Sequence, residues 1–331
     1  MFEALAVPFP ATIQDSGRVG YRHFGVPVSG ALDRVSLVLA NALVGNRPDA
    51  AALELRLVGP KLRALATVRV ALAHAEAVIE RHDDSRISLP PWHTATLTAG
   101  ERLNIHRVHG GAGYLAVAGG FATPLVLGSR STYLRAGWGC ALSEGMMLPV
   151  GDGDATGPER HLGPPHFPAG PIRVIPGPQR ERFTATAWET LCSVPFTVTD
   201  QADRMGLRLA GPTLTHRGGA DIVSDGVAPG VIQVPGDGQP IVLLADAQTV
   251  GGYAKIATVI TADLPRLGRL LPGATVRFAA VDLAAAQAAL AEQRAWLAAT
   301  IAAIRPLARE EAIDQAALYE ANLIDGVVYG E

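Results

Sequence analysis

Two cysteines and two lysines are all that this chain of 331 residues holds of either type. Cys140 and Cys192 form neither a C-x-x-C motif nor a disulfide framework, which suits a reducing, cytoplasmic setting. They read as core residues rather than nucleophiles. Of 28 basic residues only Lys61 and Lys255 are lysines. An ammonium shifts its pKa on burial and does not replace a guanidinium, so both chance placement and a chosen position stand open for Lys255. The net charge is only −3, which gives no reason to expect a nucleic acid or an anionic membrane as partner. No apolar run reaches the roughly 20 residues that span a bilayer. The opening MFEALAVPFPATIQDSG lacks the basic and apolar regions of a secretory signal. What remains is a soluble globular composition, 48% hydrophobic, with 36 Gly and 24 Pro, as many turns between short strands require.

The stretch GDGDATGPERHLGPPHFPAG, 151–170, has five Gly and four Pro and no apolar periodicity. It reads as a linker between a β-rich part, 1–150, and a second part, 171–283, with no repeat between them. SGALDRVSLVLANALVGN predicts a helix with Ser29 as N-cap, Leu32, Val35, Leu39 and Leu43 on one face, and Gly45 just past its end. VRVALAHA, TATLTAGERLNIHRV and GYLAVAGG predict strands in the first part. IRVIPGP, PFTVTD, RMGLRLAG, PIVLLAD, KIATVIT and ATVRFAAV do so in the second, around a short helix TATAWETLCS. From 284 to 331 the pattern is a helical tail. Leu283, Leu290, Leu297, Ile301 and Ile304 form a stripe stopped by Pro306, and REEAIDQAALYEANLI predicts a second helix ended by Gly326. The tail is expected to pack on the body.

Familiar catalytic motifs fail. Lys255 is followed by Ile256 and Lys61 is preceded by Pro60, so neither completes a P-loop. Gly111, Gly113 and Ala116 run into a strand instead of opening a helix. No G-x-S-x-G or H-E-x-x-H occurs. His106 and His109 sit three apart in a predicted strand, and alternation sends them to opposite faces, so no shared metal is expected. His161 and His166 fall in the linker and read as solvated. No metal site is assigned.

Polar clusters at strand ends carry what chemistry remains. TIQDSGRVGYRHFGVPVSGALDR holds Gln14, Asp15, Arg18, Tyr21 and Arg22 among glycines. QADRMGLRLAGP holds Asp203 and Arg204. DIVSDGVAPGVIQVPGDGQP holds Asp225, Gln233, Asp237 and Gln239, and QTVGGYAK holds Gly251, Gly252, Tyr253 and Lys255. Each alone reads equally as a satisfied turn, since D-G pairs are common hairpin chemistry and Asp15 with Arg18 suffices for a loop ion pair. Together they offer carboxamides, carboxylates and cations beside glycines that admit a ligand close to the backbone, a set suited to an amide or ureido group.

The same residues carry a resemblance. TIQDSGRVGYRHFGVPVSGALD, AALELRLVGPKL, GYLAVAGG, LGSRSTYLRAG, DRMGLRLAGP and IQVPGDGQPIVLLADAQTVGGYAKIATVI resemble the allophanate hydrolase subunit 2 family. That family includes the 5-oxoprolinase C subunit, the Kip-type antagonist of a sporulation inhibitor and the biotin-dependent carboxyltransferase domain of urea carboxylase. The likeness runs from about residue 5 to 283, and LYEANLIDGVV is similar to the tail of the 5-oxoprolinase C type. VALAHAEA departs from the family's T-G-A stretch, and Ala254 stands where a proline is usual.

The resemblance implies a mainly β chain with some α, built as two cyclophilin-like β-barrel subdomains plus the C-terminal helical tail. It implies a B-type partner similar to allophanate hydrolase subunit 1 and, for a 5-oxoprolinase, an A-type partner as well. ATP would be used in that complex to open 5-oxoproline to L-glutamate. One alternative is a carboxyltransferase acting on a urea-like amide with biotin on a separate carrier. Another is a non-catalytic regulator of a B-type, Kip-inhibitor-like partner. The roles assigned on this basis are Lys255 and Arg204 stabilising negative charge, and Asp237 as base or orienting group. Gln233 and Gln239 would read the amide edge, Tyr253 would form a wall beside Gly251 and Gly252, and Asp15 and Arg18 would position the far side of the cleft.

Overall fold

The computed structural model describes residues 1–307. The second tail helix expected in REEAIDQAALYEANLI, and the LYEANLIDGVV ending, lie outside the described residues.

The chain is mainly β. Residues 1–150 build two sheets. One has six strands in the order Met147–Leu148, Phe2–Ala6, Lys61–Ala64, Arg102–Val108, Ala75–Glu80, Arg86–Leu89. The other has five, Thr12–Gln14, Ala52–Leu55, Gly113–Val117, Val68–Ala73, Thr94–Leu97. Alternation decides the packing. Ala75, Ala77 and Ile79 point from the first sheet into a core shared with Val68, Val70 and Leu72 of the second. Every residue of Val68–Ala73 is buried because Ala71 and Ala73, on the opposite face, meet helix α1, Arg34–Leu43. Small alanines on that face let the helix approach the sheet.

The start of α1 differs from the sequence expectation. Asp33, not Ser29, is the N-cap, its carboxylate accepting the N–H groups of Val35 and Ser36 at 3.1 Å each. Ser29 lies at φ 55°, a left-handed conformation before the helix. A carboxylate with two aligned donors outcompetes the hydroxyl four residues upstream. Gly45 follows the end of α1 at φ 78°, as expected.

The second part is a nearly closed barrel of eight strands. They run Thr275–Val276, Phe196–Val198, Gly206–Ala210, Ile241–Leu243, Val231–Gln233, Lys255–Val259, Ile172–Pro176, Phe278–Ala280. Its two edge strands are separated in sequence by Arg277 alone, which is why the sheet returns on itself. Helix α2, Ala185–Ser193, and the short α3, Leu264–Gly268, flank it. A two-stranded ribbon, Asp221–Gly226 with Val250–Tyr253, stands off the barrel with Val223 92% exposed.

Three local expectations change. The stretch 151–170 does not run free: Arg160–His161 pairs with Arg305–Pro306, Leu162 is buried, and Phe167 packs against His74 and Trp296. His161 stacks on His93 with centroids 5.5 Å apart. His106 and His109 are not on opposite faces. A register shift between Glu76 and Ala77 interrupts the alternation, and both imidazoles approach Glu76, at 3.7 and 2.7 Å. Cys140 is exposed and Cys192 half-buried, so neither is a core residue. Helix α4, Leu283–Ala302, lays Ala289, Trp296, Leu297 and Ile301 on the body. Leu283, in its first turn, remains 64% exposed.

Candidate functional site

The two parts meet where Ala245, Arg204 and Arg269 of the second touch Ser29, Glu54 and Asp33 of the first, and pockets lined by both parts flank the segment Asp246–Tyr253. On one side Arg204 bridges the parts. Its Nε and Nη2 donate to Asp246 at 2.8 and 3.1 Å, Nη2 also donates to the Gly30 carbonyl at 2.7 Å, and Nη1 donates to Glu54. Glu54 lies on the buried strand Ala52–Leu55 and also accepts from the Tyr114 hydroxyl at 2.8 Å and the Leu32 N–H at 2.9 Å. The Tyr114 oxygen in turn accepts the Asp33 N–H at 2.8 Å. Burial alone would weaken the hold of Arg204 on its proton, but Glu54 and Asp246 reverse this and raise its pKa. Burial, then the charges of Glu54 and Asp33, push the Tyr114 phenol well up, so it stays a donor.

This network floors a cleft of about 400 Å³ lined by Gln14, Glu54, Arg56, Tyr133, Arg204 and Asp246. Gln14 is fully buried. Its Nε2 donates to Thr12 Oγ1 and the Thr132 carbonyl, while Oε1 has no partner. A second hollow of about 300 Å³ adjoins, sharing Arg135, Asp203 and Met205 and reaching Gln233, Gln248 and Tyr253.

On the other side of the segment is a pocket of about 600 Å³ lined by Arg22 and His23 from the first part and by Val231, Thr249 and Lys255 from the second. The strand Lys255–Val259 aims Lys255 under the ribbon. Its Nζ donates to Asp225 at 2.5 Å and lies 3.4 Å from the Gly226 carbonyl. Lys255 is 2% exposed while the Asp225 side chain is 56% exposed, so the pair joins an interior ammonium to a carboxylate at the solvent boundary. The hydrogen bond from Lys255 holds the Asp225 carboxyl below the usual range.

The sequence-derived residues divide into three groups. Gln233, Gly251, Gly252 and Tyr253 come together at the smaller hollow, while Lys255, their neighbour in the ladder, turns into the pocket on the other side. Gln233 pairs across the ladder with Lys255, and its Nε2 lies 3.4 Å from the Tyr253 carbonyl. A Cβ at Gly251 would stand 2.6 Å from Gln233 Nε2, so a larger residue there would displace that carboxamide. Asp237 and Gln239 lie apart. Asp237 accepts the Gln239 N–H at 3.0 Å, and Gln239 is stapled to the Gly211 backbone by bonds of 2.9 and 3.1 Å, so both serve an outer turn. Asp15 and Arg18 form the third group, each tying down residues 126–132. Asp15 accepts from Gly17 N, Ser129 Oγ, Arg130 N and Ser131 Oγ at 2.5–2.7 Å. Arg18 donates to the Ser131 carbonyl and lies over the Trp138 ring, 5.1 Å from its centroid. Arg204, the remaining one, donates through Nε, Nη1 and Nη2 to protein partners across the junction.

Sequence grounds alone assign no role to Glu54, Asp246 or Asp225. A lone carboxylate in the otherwise apolar strand ALEL is the one available signal for Glu54, because a buried charge needs a partner. Among the described residues no group of three or more His, Cys, Asp or Glu is placed to hold a metal ion.

Comparison with known proteins agrees with this architecture. Residues 24–280 match the family described as carboxyltransferase domain, subdomain A and B. The chain is 36% identical over 301 residues to the 5-oxoprolinase C subunit of Escherichia coli, covering 89% of this chain and 96% of that one. It is 37% identical over 290 residues to the 5-oxoprolinase C subunit of Haemophilus influenzae, covering 86% and 92%. The crystal structure of the Kluyveromyces lactis urea carboxylase superposes with a TM-score of 0.79 at 27% identity, over 90% of this chain but 29% of that one. The chain therefore belongs to the carboxyltransferase family of paired subdomains A and B, alongside the 5-oxoprolinase C subunits.

Proposed function

We propose that this chain is the C subunit of an ATP-dependent 5-oxoprolinase, acting in the cytoplasm with B-type and A-type partners to open 5-oxoproline to L-glutamate. The observation that carries this reading is coverage: the likeness to the Escherichia coli C subunit spans 96% of that protein. The pocket chemistry supports it. Opening a lactam puts negative charge on the carbonyl oxygen, and Lys255 offers a nearly desolvated ammonium for that charge. Asp225, hydrogen-bonded to Lys255 and reaching solvent, is placed to accept a proton from an N–H or a water.

A triphosphate does not fit this pocket by itself. The pocket supplies only Arg22 and Lys255 as permanent cations, and Lys255 is matched by Asp225. No step is assigned to nucleotide here, and its binding falls to the partners. The second reading is a carboxyltransferase acting on a urea-like amide with biotin on a separate carrier. The fold shared with the Kluyveromyces lactis urea carboxylase favours it.

The test is to mix the chain with its B-type and A-type partners and follow glutamate formation from 5-oxoproline with and without ATP. No product under any condition overturns the first reading, and ATP-dependent carboxylation of urea with a biotin carrier would establish the second. Within an active complex, Lys255→Ala should lower kcat by about 100-fold or more with little change in Tm, because the Asp225 it leaves is already half in solvent. Full activity in that variant would refute the role of Lys255.

A further inference from the structure

The pocket around Lys255 contains a cation that the chemistry above does not use. Arg22 enters from the first part on the loop that follows Gly20, in the single turn Arg22–Phe24 closed by Gly25 at φ 82°. Its Nη1 is shut off from solvent and, among the described residues, has no hydrogen-bond partner. Arg18 Nη1, Arg69 Nε and Arg269 Nη1 are likewise unpartnered, but each of those guanidiniums has another protein partner: Arg18 donates to the Ser131 carbonyl, Arg69 to the Gly157 carbonyl at 2.7 Å, and Arg269 lies 3.5 Å from Asp33. Burial weakens the hold of Arg22 on its proton, with no carboxylate to offset it. An unpaired buried donor on a cation is costly to keep, so the position is explained best by a counter-ion that arrives from outside.

The charges facing the pocket have a sign. Arg22 and Lys255 line it as permanent cations with His23 beside them, no carboxylate among the described residues lines it, and Asp225 reaches Lys255 from the ribbon. A planar guanidinium with free N–H groups suits the two oxygens of a carboxylate or a phosphate. The walls, Val231 and Val227, are apolar, as suits a small ring beside the charged group.

We propose that Arg22 forms an oxyanion subsite beside Lys255 and takes the carboxylate of a small cyclic-amide acid. The inference rests on the 5-oxoprolinase reading and deepens it. Lys255 addresses the ring amide, and Arg22 selects substrates that carry an acid group next to it. The subsite exists only where the two parts meet, since Arg22 and Lys255 come from opposite parts of the chain.

The experiment uses the assembled complex of the full chain with its B-type and A-type partners, as wild type, Arg22→Gln and Arg22→Lys. Binding of 5-oxoproline, 2-pyrrolidone (the same lactam without the carboxylate) and inorganic phosphate is measured by calorimetry, and kcat and KM by glutamate formation. The expected result is that Arg22→Gln weakens 5-oxoproline binding by about 10- to 100-fold, with KM rising more than kcat falls. 2-Pyrrolidone, which has no acid group, should be unaffected, and Arg22→Lys should restore part of the loss. Equal weakening of 2-pyrrolidone would show a structural role and overturn the proposal. Loss of phosphate binding with 5-oxoproline unchanged would assign the subsite to a phosphoryl group and overturn the carboxylate. Hydrolysis by Arg22→Gln with an unchanged KM would keep the function and remove the subsite. Binding of 5-oxoproline through Arg22 without hydrolysis would keep the subsite and remove the function. A wild-type complex that does not bind 5-oxoproline overturns both.

Discussion

Replacing Arg204 with methionine should cost this protein more than any change at an exposed charge. The guanidinium is the counter-charge that joins Glu54, whose side chain is 2% exposed, to Asp246, 11% exposed. Methionine fills much of the volume but leaves two carboxylates facing each other with little water. Breaking a buried pair from one side costs about 3–5 kcal/mol, and the Gly30 carbonyl loses its donor as well. Removing the other partner is different. Glu54→Gln keeps an acceptor for the Tyr114 hydroxyl and the Leu32 N–H, and Asp246 continues to hold Arg204. The double variant Arg204→Met with Glu54→Gln should therefore be more stable than the sum of the single losses predicts, with a coupling of about 1–3 kcal/mol. Urea unfolding followed by tryptophan fluorescence and far-ultraviolet circular dichroism measures all three. A loss below about 1 kcal/mol for Arg204→Met, or strict additivity in the cycle, would refute the view that this arginine clamps the junction.

Three further outcomes test the remaining assignments. Asp15→Asn should destabilise by about 2–3 kcal/mol, because an amide cannot serve the four donors that converge on the carboxylate; thermal unfolding checks this. Asp237→Ala should change stability by less than about 0.5 kcal/mol and leave glutamate formation within about twofold, since its side chain only caps an exposed turn. His74 lies against Trp92 and Phe167, and burial, then the charges of Arg269 and His109, lower its pKa to about 4. The folded state then refuses a proton that the unfolded chain accepts near pH 6.5. Stability is intact above that pH and declines as pH falls toward 4, by about 3 kcal/mol at most from this residue. His74→Asn should flatten that acid limb in unfolding measured from pH 7 to 4, and an unchanged slope would show that other groups set it.

Much of the architecture is legible in the sequence because it depends on local periodicity. The alternation in VRVALAHA and the 3.6-residue stripe of α1 follow from which faces must leave water. Where neighbours compete locally, the residue with the better geometry decides, as when Asp33 displaces Ser29 at the start of α1. His106 and His109 share Glu76 for a comparable reason: a bulge adds one residue and resets the alternation, and no sequence rule places it.

The candidate site was legible only as a set of residue types. Gln233 and Tyr253 approach because a strand pair and the ribbon close on them, while Lys255 turns to the opposite pocket, a division the local sequence does not show. Asp237 and Gln239 belong to the same quoted stretch, yet they turn to the outer loop at Gly211. The sequence by itself determined a chain rich in short strands, the place of α1, the absence of a P-loop and the one lysine of the second part. Only the tertiary structure decided that Glu54 meets Arg204 across 150 residues, that Arg22 and Lys255 share a pocket, and that Asp225 is the partner of Lys255. The reason is physical. Burial of apolar faces is written in the period of the sequence, whereas the pairing of charges depends on which loops the closed sheets bring within a few ångströms.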